Sequence, residues 1–570
     1  MIPIRLDHKP ATLLEQARWL YENCPENTAL IFIDHQGETI ITYREFFAEA
    51  ARYAHALEAA GIRPGDLVAL ILQHGEAVIY GFWGAMLLGA VPSIFPFLTE
   101  KLDRDRYFES VHQLIAHEHI RVVITYSDLK PELDQHLQGL ESLKAIIDSE
   151  HLQAGGDIAH YLALNPAAAE DTAFLQHSSG STGLQKGVML SHRAVMNQIA
   201  SYSEAIRLQS DDVIVSWLPL YHDMGLIAGF IMPILQGIPV VLMSPFHWVR
   251  DPKILLHAIH QHRGTLCWLP NFAYNFLASR VRESDLEGLD LTSWRAVVNC
   301  SEPVYAESHR QFLARYAAYG FRESALTTCY AMAENTFAVT QSTLDAPLIV
   351  DVVHRAAIMD DQRAIPITDP TTPSQTFVSC GKPIANCEVI VTDAARQPLP
   401  ERHVGEIALR SDSMLSGYYN RPDLSDEAIV DGWYYTGDMG YMTHGELFIT
   451  GRKKDLIIVG GKNVYPQDIE NLLNDVPGLH PGRATAFGVL NDKLGTEDIA
   501  IVAEVDGRQQ VDRSQIVRDV RARIAQNTDV TARYVHLVEA KWLIKTSSGK
   551  IARRANREKF ITEVLNNETS

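Results

Sequence analysis

The stretch LQHSSGSTGLQKGVMLSH, residues 175–192, sets Gly180 and Gly183 among Ser178, Ser179, Ser181 and Thr182 and then presents Lys186. Glycines let successive backbone N–H groups turn inward, hydroxyls add donors, and a lysine adds a point charge; together these make an anion cradle. The order is not that of a Walker A loop, because Lys186 is followed by Gly187 rather than by Ser or Thr. Taken alone, the segment is equally a Ser/Gly surface turn.

Other stretches carry reactive side chains of their own. SWLPLYHDMGL (216–226) places His222 and Asp223 directly after an apolar run and Pro219. CYAMAENTF (329–337) offers Tyr330 and the carboxylate of Glu334, which share a face if the segment is helical. YYTGDMGYMTHGELFITGRKKD (434–455) puts Asp438 and Arg452 each in a Gly-containing turn, where Asp438 is either local turn chemistry or a grip for a ribose diol. KTSSGKIARR (545–554) sets Lys550 after a Gly turn and, by itself, is a solvated basic tail.

These residues need a frame, and the chain has length for more than one core: 570 residues imply two or more domains. Helical patterns alternate with LVALIL (67–72), RVVITY (121–126), VIVSWL (213–218), VVLMS (240–244) and RAVVN (295–299), an α/β pattern of parallel-rich sheets covered by helices. From about 378 the strands are joined by short Gly- and Asp-containing turns, which predicts a β-rich, more antiparallel subdomain. Past GRKKD (451–455) a small α+β unit is expected, so the division is 1–453 and 454–570. Two uncharged stretches, 77–99 and 224–249, are long enough to suggest membrane spans. Each nevertheless reads as an apolar helix, a glycine (Gly89, Gly237) and a β-branched strand, a unit buried in an α/β core, so no membrane span is expected.

Fifty basic and 70 acidic residues leave a formal charge of −20, which argues against nucleic acid as a partner. Six cysteines without a C-x-x-C pair point to a reducing, cytoplasmic setting, and the N-terminal segment has no hydrophobic signal region.

In this order the loop 178–187, Tyr330–Glu334, Thr436–Gly437–Asp438, Gly451–Arg452 and Ser548–Gly549–Lys550 resemble the core motifs of the adenylate-forming superfamily. That family includes acyl-CoA synthetases, nonribosomal peptide adenylation domains and luciferases. The resemblance implies ATP and Mg²⁺ as cofactors and acyl-AMP formation, with Ser178, Ser179, Gly180, Ser181, Thr182, Gly183 and Lys186 on the outgoing phosphates. Thr182 and Glu334 would assist the metal. Tyr330 and Ala331 would lie against adenine beside Ser301, Glu302 and Pro303, and Asp438 would hold the ribose with Arg452 close by. Lys550 would be the mobile catalytic cation from the small domain, and Lys454 the hinge. Cys300 and Ala331 stand where the family usually has glycine, which implies a slightly tighter nucleotide pocket.

Within the family, LQHSSGSTGLQKGVMLSH, WLPLYHDMGLI and YPQDIE (465–470) resemble fatty acyl-AMP ligases. A long interval between Tyr330 and Gly381 matches that branch's insertion, placed at about 348–375, although an ordinary surface loop gives the same spacing. The branch implies a fatty acid substrate and transfer of the acyl group to the phosphopantetheine arm of an acyl carrier protein. An acyl-CoA synthetase is the alternative enzyme, and a non-catalytic acyl-adenylate-binding paralogue the alternative of another class. The acyl pocket is expected near His222, Asp223, Trp268 and Phe272, with His222 also counted as catalytic, where the acyl and thiol channels meet.

Overall fold

In a computed structural model, residues 10–99, 104–164, 167–178, 186–459, 462–491, 496–507, 512–528, 530–546 and 549–565 are described, Ser178 by its backbone alone. Short apolar strands alternating with helices build two large sheets. At the centre of a nine-stranded sheet, Leu326–Ala331, Ala296–Asn299, Leu266–Leu269, Ile214–Ser216, Val240–Met243 and Thr28–Ile33 run parallel in that order. A seven-stranded sheet holds the parallel strands Val91–Ile94, Leu67–Ile71, Val122–Thr125 and Ala145–Asp148. Beside them Thr172–Ser178 pairs antiparallel with Lys186–Ser191. All five residues of Leu67–Ile71 are buried, as a strand covered by helices on both faces requires.

Both long uncharged stretches are core. The helix Glu76–Leu87 turns at Gly89 (φ 77°) into Val91–Ile94. The π-helix Met224–Ile231 continues as Met232–Gln236 and turns at Gly237 (φ 68°) into Val240–Met243. No helix among the described residues is long and apolar enough to cross a membrane. Gly84 lets Glu76–Leu87 lie directly on the helix Tyr43–Ala59: a Cβ there would stand 2.5 Å from Tyr53 Cβ and 2.6 Å from the Ala50 carbonyl.

As expected, the texture changes beyond 378. Cys387–Thr392, Gly405–Ser411, Trp433–Thr443 and Glu446–Arg452 form an antiparallel sheet. The interval 348–375 is regular at its two ends, and 362–373 carries only isolated bridges at Arg363 and Pro366. Val350–His354 pairs antiparallel with Ser374–Val378, and the helix Arg355–Asp361 lies between them in sequence. Its Val353 and Ile358 are fully buried against Phe377, Tyr441 and Phe448.

Near the C-terminus, Leu479–Asn491 and Thr496–Val505 pair antiparallel, and Ala532–Val538 joins in parallel. The helix Arg513–Asn527 packs Ile516, Val520 and Ile524 into a separate apolar cluster with Ile469 and Ile501. Met359 of the helix Arg355–Asp361 enters the same cluster, so the segment 350–378 packs both on Tyr441 and Phe448 and on the C-terminal apolar side chains.

Candidate active site

Parallel strands deliver their carboxyl ends to one place, and the loops that leave there carry the polar residues. Ala296–Asn299 leads through Cys300 to Ser301, whose backbone is left-handed at φ 67°. Its neighbour in the sheet, Leu326–Ala331, ends at Tyr330 and Ala331. β-branched Thr327 and Thr328 and the antiparallel partner Ala338–Gln341 hold this segment extended. Tyr330 is therefore on a strand and Glu334 on the 3₁₀ turn Ala333–Asn335, so the two do not share a helix face.

Asp438 and Arg452 are likewise not in separate turns. They are register partners in the hairpin Trp433–Thr443/Glu446–Arg452, and Arg452 Nε lies 3.2 Å from Asp438 Oδ1. Hairpin pairing brings together groups that the sequence leaves apart. The Tyr330 hydroxyl donates to Asp438 Oδ2 at 2.7 Å, and the Asp438 N–H donates to Thr436 Oγ1 at 3.0 Å. Burial and the Asp438 charge push the Tyr330 phenol well up, keeping it a donor. The Asp438 charge holds the Arg452 guanidinium above its ordinary value.

A second carboxylate, Glu334, accepts from the Tyr418 hydroxyl at 3.0 Å. Burial pushes its carboxyl up and the charge of Asp223 adds to the rise, whereas Lys186 opposes it. The Lys186 ammonium stands 4.7 Å from the centre of the Tyr418 ring. His222 and Asp223 are adjacent, with Nδ1 3.8 Å from Oδ1, and Asp223 caps the Met224 N–H at 2.8 Å. Gln176 ties this segment to Thr172–Ser178 by donating to the Tyr221 carbonyl at 2.9 Å. Lys186, Asp223, Glu334 and Tyr418 are thus one polar cluster at the end of the hairpin that carries the Ser/Gly loop. Ser179, Gly180, Ser181, Thr182 and Gly183 of that loop lie outside the described residues, as do Ser548 and the Ser178 side chain.

Lys550 comes from the far end of the chain. The Thr546–Lys550 turn, with Gly549 at φ 83°, aims its ammonium at the Ser301 carbonyl, 2.6 Å away. Arg553, shortly after it, clamps Glu470 at 2.8 Å and Asp455 at 2.5 Å, which fixes the turn against the segment that follows Arg452. Next to Ser301, Glu302 is pushed up by burial, with Lys550 opposing, and its Oε2 accepts from the Phe272 N–H at 3.1 Å; Pro303 beside it is exposed. Lys454 is held below its ordinary value by burial and by the charge of Arg452.

The other expected site residues divide. Phe272 is 43% exposed at the mouth of an aromatic group, but Trp268 is fully buried and its indole N–H donates to the Tyr202 hydroxyl at 2.7 Å. Trp268 is therefore part of the sheet core. Cys300 is also fully buried, with its thiol against Met224, so it occupies core space. No local sequence signal marks Tyr418: it reaches Glu334 only because Gly417–Tyr418 pairs with Lys186–Ser191.

The AMP-binding enzyme family model matches residues 16–419. The medium-chain fatty acid–[acyl-carrier-protein] ligase JamA of Moorena producens is 32% identical over 92% of this chain and 90% of its own. A Caulobacter vibrioides protein that carries an acyl-CoA synthetase name is 30% identical over 92% of this chain and 91% of its own. A chain solved in work on fatty acyl-adenylate ligases from E. coli and L. pneumophila superposes with a TM-score of 0.87 at 29% identity, covering 97% of this chain and 98% of that one.

Proposed function

The chain belongs to the AMP-binding enzyme family, and on that premise we propose that it converts a fatty or lipid-like carboxylic acid and ATP into acyl-AMP and pyrophosphate, then passes the acyl group to the thiol of an acyl carrier protein. In the first step a carboxylate oxygen attacks the α-phosphorus, and the bond to the bridging oxygen breaks as pyrophosphate leaves. In the second, the thiol displaces AMP and gives up its proton.

The observation that carries the activation step is the Lys550–Ser301 contact. Two anions must meet for the new P–O bond to form, and a cation placed between them lowers their repulsion in the transition state. Asp438 would accept from the ribose hydroxyls, with Tyr330 and Arg452 orienting its two oxygens. Tyr330, Ala331 and the Ser301–Glu302–Pro303 segment would flank adenine. The loop at 178–187 would receive the β- and γ-phosphates, with Lys186 at its end. His222 would stand where acyl chain and thiol converge, and Lys454 would be the hinge between a large unit, 1–453, and a small mobile one, 454–570.

Of the two residues expected on a divalent cation, Glu334 is among the described residues and Thr182 is not. Glu334 is a half-buried carboxylate whose charge is disfavoured by burial and by Asp223, and a cation relieves both effects. Glu334 and Thr182 would hold Mg²⁺. When bound, the metal neutralises charge on the triphosphate. The six free cysteines accord with a reducing cytoplasm.

Support for a carrier protein over coenzyme A comes from the insertion. Met359 packs among the C-terminal apolar side chains, Gln375 Nε2 donates to Asp468 Oδ2 at 2.7 Å, and Lys462 lies 3.8 Å from Asp360. A strap touching both units would restrain the rotation about Lys454 that thiol transfer uses, and a carrier protein, unlike free coenzyme A, brings a docking surface whose binding energy can offset that restraint. ATP–pyrophosphate exchange with a panel of carboxylic acids tests activation, and supplying coenzyme A or a holo carrier protein tests the acceptor. Rapid acyl-CoA formation would make the protein an acyl-CoA synthetase; binding of acyl-AMP without exchange would make it a non-catalytic paralogue.

A further inference from the structure

Trp217 and Trp248 lie face to face, ring centres 3.7 Å apart and planes within 5°. They come from different elements: Trp217 follows the strand Ile214–Ser216, and Trp248 sits on the helix Pro245–Arg250. Both indoles are buried, at 4% and 0% exposure. Phe272 sets its edge on each, at 6.2 Å from Trp217 and 6.2 Å from Trp248, and Phe276 approaches Trp248 at 5.3 Å.

A buried aromatic cluster is ordinarily plain core. This one is joined to the polar site and opens to the surface. The Phe272 backbone N–H is bonded to Glu302, next to the carbonyl that Lys550 holds, and the Phe272 ring is 43% exposed. A chain of contacts therefore leads from the Lys550 ammonium through Ser301 and Glu302 to Phe272, whose ring meets the paired indoles edge-on. Stacked indoles yield less than aliphatic side chains, which swing between rotamers.

On the premise that this site activates a carboxylic acid, we infer that the Trp217–Trp248 stack, with Phe272 at its mouth, is the end wall of the acyl pocket and sets the longest chain accepted. The carboxylate lies at Lys550 and the alkyl tail points at the indoles. Each methylene that fits gains about fourfold in binding, the equivalent of ~0.8 kcal/mol. The first methylene that meets the stack reverses that gain, because a close-packed wall cannot absorb added volume.

The test is ATP–pyrophosphate exchange with saturated acids from butanoate to octadecanoate, recording kcat and KM for each. Trp217→Leu and Phe272→Ala are compared with the unaltered protein, each variant first checked for an unchanged KM for ATP. Phe272→Ala removes an exposed ring and leaves the core intact, so it remains informative if Trp217→Leu fails to fold. We expect the unaltered protein to show a sharp upper length limit. Trp217→Leu should move that limit to longer acids, mainly by lowering their KM by about tenfold or more, and Phe272→Ala should blunt it. An unmoved limit in folded variants, or no limit in the unaltered protein, overturns the wall while activation stands. Absence of exchange with every acid overturns the activation itself.

Discussion

The Nζ of Lys550 lies 2.6 Å from the carbonyl oxygen of Ser301, a contact spanning 249 positions of chain. Nothing near either residue in sequence demands it. It exists because Ser301 follows a parallel strand and Lys550 rides on a turn anchored by Arg553 to Glu470 and Asp455.

Lys550→Ala should therefore reduce ATP–pyrophosphate exchange by about 10²–10³-fold, the range seen when one preorganised charge-stabilising donor is lost. Thermal stability should change little, since Lys550 is only half-buried. A loss under tenfold would remove Lys550 from the adenylation step.

Asp438→Asn takes away the charge that both Arg452 and Tyr330 address. The expected outcome is a KM for ATP raised about tenfold or more, with a smaller effect of Tyr330→Phe, which removes one neutral donor. Equal ATP affinity in Asp438→Asn, measured by calorimetry, would show that the nucleotide does not rely on this carboxylate.

His177, the residue before the Ser/Gly loop, has Nε2 2.9 Å from Glu118 Oε1 and Nδ1 2.8 Å from Ser93 Oγ, and both the His177 and Glu118 side chains are 2% exposed. Glu118→Ala strands a buried imidazole nitrogen and should cost about 1–3 kcal/mol or more of stability. Denaturant unfolding measures this; an unchanged midpoint would mean that the pair is energetically idle.

Asp468 supplies a pH signature. Burial pushes its carboxyl up from 3.8 to about 7, Glu470 adding to the rise while the Gln375 amide and Arg355 oppose it. The folded protein keeps a proton there that the unfolded chain has released, so stability from this group is full below the unfolded value and is lost as pH rises from about 4 to about 7. Asp468→Asn should flatten that part of the melting-temperature profile, and an identical slope in both proteins would refute the assignment.

Much of the framework was legible in the chain. Apolar β-branched runs between helical patterns announced parallel strands because a strand covered on both faces has no polar side to alternate with. The glycines after two uncharged helices separated buried α/β units from membrane spans, since each permits the left-handed turn into the next strand (Gly89 at φ 77°, Gly237 at φ 68°). The order of the loop 178–187, Tyr330, Asp438, Arg452 and Lys550 resembles the core motifs of the adenylate-forming superfamily, and the chain belongs to the AMP-binding enzyme family.

Local spacing failed where pairing between distant strands decides position. Tyr330 and Glu334 looked like helix neighbours, yet strand pairing holds Tyr330 extended. Asp438 and Arg452 looked like residues of two turns, yet a hairpin sets them opposite each other. Trp268 and Trp217 are both tryptophans near strand ends, and only the packing of Trp248 and Phe272 separates core from candidate acyl wall. The sequence by itself determined which chemical groups the protein possesses and the class of fold that carries them, because composition and periodicity are local properties. Which groups meet, at what distance and behind how much buried surface, was decided by the tertiary structure, because contacts such as Lys550 to Ser301 depend on how whole sheets and turns pack together.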